Sequence, residues 1–160
     1  MPVFNVGDKV VYPMHGAGII EAIEEKEVLG EKRTYYIMRM PIGNMKVMIP
    51  VDNGNDIGLR AVIKQDEVCQ VINVLKEQEI TILQDWNRRY RAHMEKIKSG
   101  DIFEVAEVVK NLILRDKEKG LSTGERKMLE NARKILVSEL VLADDSDEEK
   151  IEGLLEETFA

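Results

Sequence analysis

"YYIMRMPIGNMKVMIPV", residues 35 to 51, alternates apolar with other side chains on both sides of the dipeptide Gly43-Asn44. Successive side chains of a strand point to opposite faces. Tyr36, Met38 and Met40 therefore share one face of a strand, and Met45, Val47 and Ile49 one face of the next. Gly43-Asn44 between them is a candidate type II′ turn, which makes the pair a hairpin. Toward the N-terminus, "HGAG" at 15–18 and "LGEK" at 29–32 mark further turns. Several short antiparallel strands within some 60 residues point to a small, strongly bent barrel. A domain of that size buries only about 60% of its unfolded surface and leans on its neighbour.

Toward the C-terminus, "PVDNGNDIGLRAV" at 50–62 is dense in Asn, Asp and Gly and reads as a loop with one last short strand. The apolar period then becomes 3.6. "DEVCQVINVL", from Asp66, begins a helical run, and four more helices follow with recognisable ends. Asp85 caps a helix over 86–98 that stops at Gly100, while Asp101 with Glu104, Ser122 with Glu125 and Ser146 with Glu149 have capping-box spacing. Gly100 and Gly120 stand where helices end on glycine. The expected fold is α+β: a small β-barrel over residues 1–60, a linker at 61–65 and a five-helix bundle over 66–160.

The chain has 160 residues, 33% of them charged and 44% hydrophobic, as in ordinary globular proteins. No run approaches the roughly 18 apolar residues that span a bilayer, and "MPVFNVGDKV" has neither the basic nor the apolar region of a signal peptide. A cytoplasmic location without a membrane partner is expected. The net charge of -7 conceals an asymmetry: residues 1–83 carry 9 Lys+Arg against 12 Asp+Glu, residues 84–134 carry 13 against 9, and residues 135–160 carry 1 against 9. A basic middle between acidic flanks can mark a nucleic-acid contact or simply a solvated helix face.

Residues suited to catalysis are few. Cys69 in "VCQVI" reads as a buried structural thiol, His15 as a turn or packing residue, and His93 as a solvated or phosphate-facing side chain. "HGAG" is too short for a phosphate loop and enters a strand. One Cys and two His supply no spaced zinc ligands. The expectation is a non-enzymatic protein with no metal, cofactor or small-molecule substrate.

The richest signal is "QDWNRRYRAHMEK" at 84–96. Trp86, Tyr90, Met94 and Ile97 fall on one helix face, with Arg88, Arg89, Arg91, Lys96 and Lys98 on its flanks. That pattern fits a core stripe with basic residues around it. Trp86, however, opens the helix, at the end where free N–H groups and the dipole attract phosphate. A large ring there can wedge against a base step. Lys110, Arg115, Lys117, Lys119, Arg126, Lys127, Arg133 and Lys134, on the next two helices, are candidates to widen the basic patch.

"VGDKVVYPMHGAGIIEAIE" at 6–24 resembles the opening of the CarD/CdnL family of bacterial transcription regulators. "DWNRRYRAHMEKIKSGD" and the following "VAEVVKNLILRDKEKGLSTGERKMLENARKILVSEL" are similar to that family's C-terminal helical domain. The resemblance covers essentially the whole chain. It implies a Tudor-like domain docked on the RNA polymerase β subunit and a helical domain meeting promoter DNA near the upstream edge of the −10 element. It further implies that Trp86 is a minor-groove wedge favouring the open complex, with Arg88, Arg91 and Arg126 contacting DNA. On the polymerase side it implies Lys26; Met48 stands where some relatives have arginine, and Lys46, two residues earlier on the same strand face, is its substitute. A different class of function also fits the residues: an adaptor between two proteins, with Trp86 buried as a core anchor.

Overall fold

The computed structural model describes residues 4–51, 58–77 and 85–159. Gln84 and the centre of the expected loop, 52–57, lie outside them. Among the described residues five strands form one antiparallel sheet: β1 (Lys9–Tyr12), β2 (Gly16–Val28), β3 (Glu31–Arg39), β4 (Lys46–Pro50) and β5 (Arg60–Ala61), in the order β4-β3-β2-β1-β5. Five α-helices follow among the described residues: α1 (Val68–Lys76), α2 (Trp86–Lys98), α3 (Ile102–Lys119), α4 (Thr123–Ala143) and α5 (Glu148–Thr158).

Turn chemistry sets the hairpins. Leu29 and Gly30 both have positive φ, 53° and 82°, which gives the tight turn between Val28 and Glu31 the twist that paired strands require. The β3–β4 connection differs from the expected type II′ turn, in which only the first central residue has positive φ. Gly43 and Asn44 are both positive, at 74° and 53°, and the hairpin closes by the Met40 N–H donating to the Met45 carbonyl at 2.8 Å. Met45 therefore belongs to the turn and is exposed, while Val47 and Ile49 face the core as expected. In β2 the register slips between Ile20 and Ala22, leaving Glu21 as a bulge that bends the strand.

Beneath the sheet Val10, Ile20, Tyr36, Met38, Met40, Ile49 and Leu59 form one core. Val11, next to Val10 and thus on the opposite face, packs with Ala17 and with Leu142 of α4. The helices share a separate core, to which each contributes: Val71 and Leu75, Ile97, Val105 and Leu112, Leu136 and Leu140, Ile151 and Leu155. Side chains cap the starts of α2 to α5, while α1 has no side-chain cap. Asp85, Asp101 and Ser122 each accept a backbone N–H bond as expected, but α5 is capped by Asp147, one residue beyond Ser146.

Sheet and helices meet along a polar seam. The Ala17 N–H donates to Ser138 Oγ at 2.8 Å, and that hydroxyl donates to the Ile135 carbonyl at 2.7 Å. A Cβ on Gly16, whose φ is +116°, would lie 2.9 Å from Ser138 Oγ, so the closeness of this contact depends on glycine. Lys9 Nζ donates to the Leu142 carbonyl at 2.8 Å.

Candidate nucleic-acid interface

Asp85 starts α2 by accepting the Asn87 N–H at 3.0 Å, which places Trp86 in the first helical turn. The ring is 43% exposed. It stacks on Tyr90, one turn along, with centroids 5.0 Å apart and planes at 21°. Its Nε1–H donates to Ser122 Oγ at 3.2 Å, at the start of α4. Gly124 lies beside both rings; a Cβ there would sit 3.8 Å from each.

The three arginines after Trp86 divide. Arg88 and Arg91 are exposed, and among the described residues neither lies in an ion pair. Arg89, expected on a flank, is instead buried: Nε and Nη2 donate to Glu125 Oε2 and Oε1 at 2.9 and 3.2 Å. His93, expected at the surface, is also buried, and its Nδ1 has no hydrogen-bond partner. Arg89, His93 and Ile97, spaced four apart, form the inward face, while Tyr90 and Met94 are half-buried beside it. The helix is thus turned so that an ion pair occupies ground expected for the apolar stripe alone.

Charge effects follow this geometry. Burial opposes ionisation of Glu125, but the Arg89 bonds and charge, with the Ser122 hydroxyl, outweigh it and hold the carboxyl below its ordinary value. Burial pushes His93 down to about 4, aided by Lys96 and Arg89 and opposed by Glu125. His93 is neutral at physiological pH and offers phosphate no charge.

Among the described residues the other basic side chains divide between engaged and unpaired ones. Arg126, one turn along α4 from Ser122, is exposed and loosely paired with Asp116 at 3.7 Å. Lys110 is buried and reaches exposed Glu77 at 3.8 Å, Arg133 pairs with Glu152, and Lys117 donates to the Phe159 carbonyl. Lys98, Lys119, Lys127 and Lys134 are exposed without a carboxylate partner among the described residues. At about 100° per residue, Arg88 lies about 200° around α2 from Trp86. Of the expected DNA-contacting set, Arg126 stands on the Trp86 side and Arg88 on the far side of the helix.

The expected polymerase-facing residues lie on the sheet. Lys46 and Met48 are exposed on the edge strand β4, two residues apart. Glu21, the bulged residue, takes Lys46 at 3.2 Å and Arg39 at 2.6 Å, and the Lys46 bond leads in holding its carboxyl low. Lys26 lies opposite Arg33 in the exposed part of the β2–β3 hairpin, beyond the end of β4. Cys69, expected to be buried, is exposed. His15 is in the turn after β1 and packs on Tyr12, with ring centroids 4.3 Å apart. Among the described residues no three His, Cys, Asp or Glu side chains converge as metal ligands, and no helix is long and apolar enough to cross a membrane.

The order of an antiparallel sheet and then helices agrees with comparison to known proteins. Residues 4–63 match the CarD-like/TRCF RID domain and residues 70–156 the CarD C-terminal domain. The chain belongs to the CarD/CdnL family. It is 45% identical over 150 residues to a Bacillus subtilis (strain 168) protein named "Putative transcription factor YdeB", covering 94% of this chain and 98% of that one. The solved structure of CdnLNt from Myxoccoccus xanthus is 38% identical and covers 39% of this chain and 89% of its own, with a TM-score of 0.34.

Proposed function

We propose that this protein is a transcription regulator that docks on the RNA polymerase β subunit and stabilises the open promoter complex through Trp86. The observation that carries this reading is a tryptophan 43% exposed at the start of α2, on a ledge made with Tyr90 and Gly124. Full membership of the CarD/CdnL family supports it, as does the name of the Bacillus relative. In this reading residues 1–60 are a Tudor-like barrel that meets polymerase through Lys26, Lys46 and Met48. Residues 66–160 are a helical bundle that meets promoter DNA near the −10 element through Trp86 and Arg126 on one side of α2 and Arg88 and Arg91 on the other. An adaptor with Trp86 as buried anchor fits that exposure less well.

The energetics need no bond making or breaking. A chain of net charge -7 with a few phosphate-facing cations binds free DNA weakly and with strong salt dependence. Docking on polymerase supplies a high effective concentration in its place. If the ring stacks on unpaired bases better than on closed duplex, opening is favoured by that difference, about 1–3 kcal/mol for one aromatic.

The test is the fraction and lifetime of open complexes formed by a cognate bacterial RNA polymerase alone, with the wild-type protein, and with Trp86→Ala. The wild type raises both, and the variant binds polymerase yet loses most of the gain. Equal action of both proteins would overturn the reading.

A further inference from the structure

We infer that Ser122, held by the Glu125–Arg89 pair, is a positioning residue that fixes the orientation in which Trp86 meets DNA. The inference rests on the reading of Trp86 as the DNA-contacting wedge. An indole has one donor, its Nε1–H, and a serine hydroxyl has one proton and two lone pairs. Ser122 Oγ accepts from Trp86 Nε1 at 3.2 Å and from the Glu125 N–H at 3.2 Å, and donates to Glu125 Oε1 at 3.3 Å. All three capacities of the hydroxyl are used. With its proton on the carboxylate, its lone pairs are aimed at the two N–H groups.

The carboxylate is fixed in turn. Glu125 is 2% exposed and takes two bonds from Arg89, which is 7% exposed. Arg89 lies three residues after Trp86 on α2, and Glu125 three residues after Ser122 on the other side. The connections therefore form a ring that leaves α2 at Trp86, crosses to Ser122, passes to Glu125 and returns to α2 at Arg89. Turning the first turn of α2 against α4 breaks at least one of these bonds. Tyr90 holds one face of the indole, and Gly124, lacking a side chain, leaves room for the ring edge. The wedge is thus arranged before it meets DNA, and the cost of ordering a free side chain on binding is avoided. With Nε1 engaged, the ring offers stacking surface and no hydrogen bond to a base edge.

Trp86 is the single tryptophan, so the anisotropy decay of tryptophan emission in the full-length protein reports this ring alone. Ser122→Ala is expected to enlarge the fast component of that decay. It should also shorten open-complex lifetime about threefold to tenfold, the worth of one hydrogen bond or one ordered side chain, without changing polymerase affinity. Ser122→Thr, which keeps the hydroxyl, restores both. Because Ser122 also caps α4, Asp101→Ala serves as control: it removes the α3 cap and leaves the ring untouched. Unchanged anisotropy in Ser122→Ala overturns the inference, as does an equal loss of lifetime in Asp101→Ala. If Trp86→Ala leaves the lifetime unaltered, the wedge reading itself falls, and the role of Ser122 toward DNA with it.

Discussion

Arg60 on β5 grips Glu139 on α4 with two parallel bonds, Nη2 to Oε1 at 2.7 Å and Nη1 to Oε2 at 2.8 Å. Glu139 is 1% exposed and also accepts the Ile63 N–H at 3.0 Å, while Arg60 Nε donates to the Gly100 carbonyl at 2.6 Å. Removing the guanidinium strands a buried carboxylate. Arg60→Ala is expected to cost about 3 kcal/mol, at the low end for a broken buried pair because Arg60 is partly solvated. Arg60→Lys recovers little, since an ammonium cannot make the paired bonds. Adding Glu139→Gln to Arg60→Ala returns part of the loss. Urea denaturation midpoints measure all three.

Arg88 and Arg89, adjacent in sequence, have opposite expected effects. Arg88→Ala leaves stability within about 0.5 kcal/mol, as for a surface residue, and lowers the salt-dependence slope of DNA binding by about 1. Arg89→Ala leaves Glu125 buried without its main partner and destabilises by about 3 kcal/mol. Thermal melts alongside a salt titration on promoter DNA separate the two. Similar melting losses in both variants would contradict the division of arginines described above.

Acid sensitivity follows from His93. Its value when folded is about 4 against an ordinary 6.5, so between those pH values the unfolded chain takes a proton that the folded chain refuses. Stability is unaffected by this group above pH 6.5, falls as pH drops toward 4, and loses up to about 3 kcal/mol in all. Glu125, whose carboxyl is held low, extends the loss into more acid solution, because the unfolded chain protonates first. A series of melting temperatures against pH, for wild type and His93→Gln, is expected to show a flatter profile in the variant across the upper window.

Cys69 provides a test of side-chain placement that needs no partner. Exposed on α1 and outside any disulfide, it should react with a thiol-specific dye in the native protein at a rate close to that in urea. Protection of one hundredfold or more would place the thiol in the core.

What the sequence discloses is what its local chemistry determines. Asp85, Asp101, Ser122, Gly100 and Gly120 bound their helices because capping bonds reach only two or three residues. Asp147 displaced Ser146 because both carry an acceptor oxygen one position apart. The expectation that Cys69 is buried is wrong although the signal against it is present: Val68, Val71, Ile72 and Leu75 define the buried face of α1 by spacing and leave Cys69 off it. Burial of Arg89 was not legible. It depends on Glu125, 36 residues away, and no spacing within α2 announces a partner on another helix, whereas His93, four residues before Ile97, shares its face by spacing. The bond from Trp86 to Ser122 was hidden for the same reason, although Ser122 was recognisable as a cap.

α4 begins beneath Trp86, where Ser122 takes the indole donor, and near its far end Ser138 and Glu139 receive the sheet. From Ser122 to Ser138 the distance along the axis is about 24 Å, with no proline or glycine after Gly124 to bend it. On the reading proposed for the two domains, one stiff shaft joins the grip on the polymerase-facing sheet to the DNA contact. A tilt of about 10° at the grip swings the tryptophan by about 4 Å, more than the rise of one base pair. On that same reading the molecule would act as a gauge, the angle at which its sheet seats on polymerase selecting the base step that the ring meets.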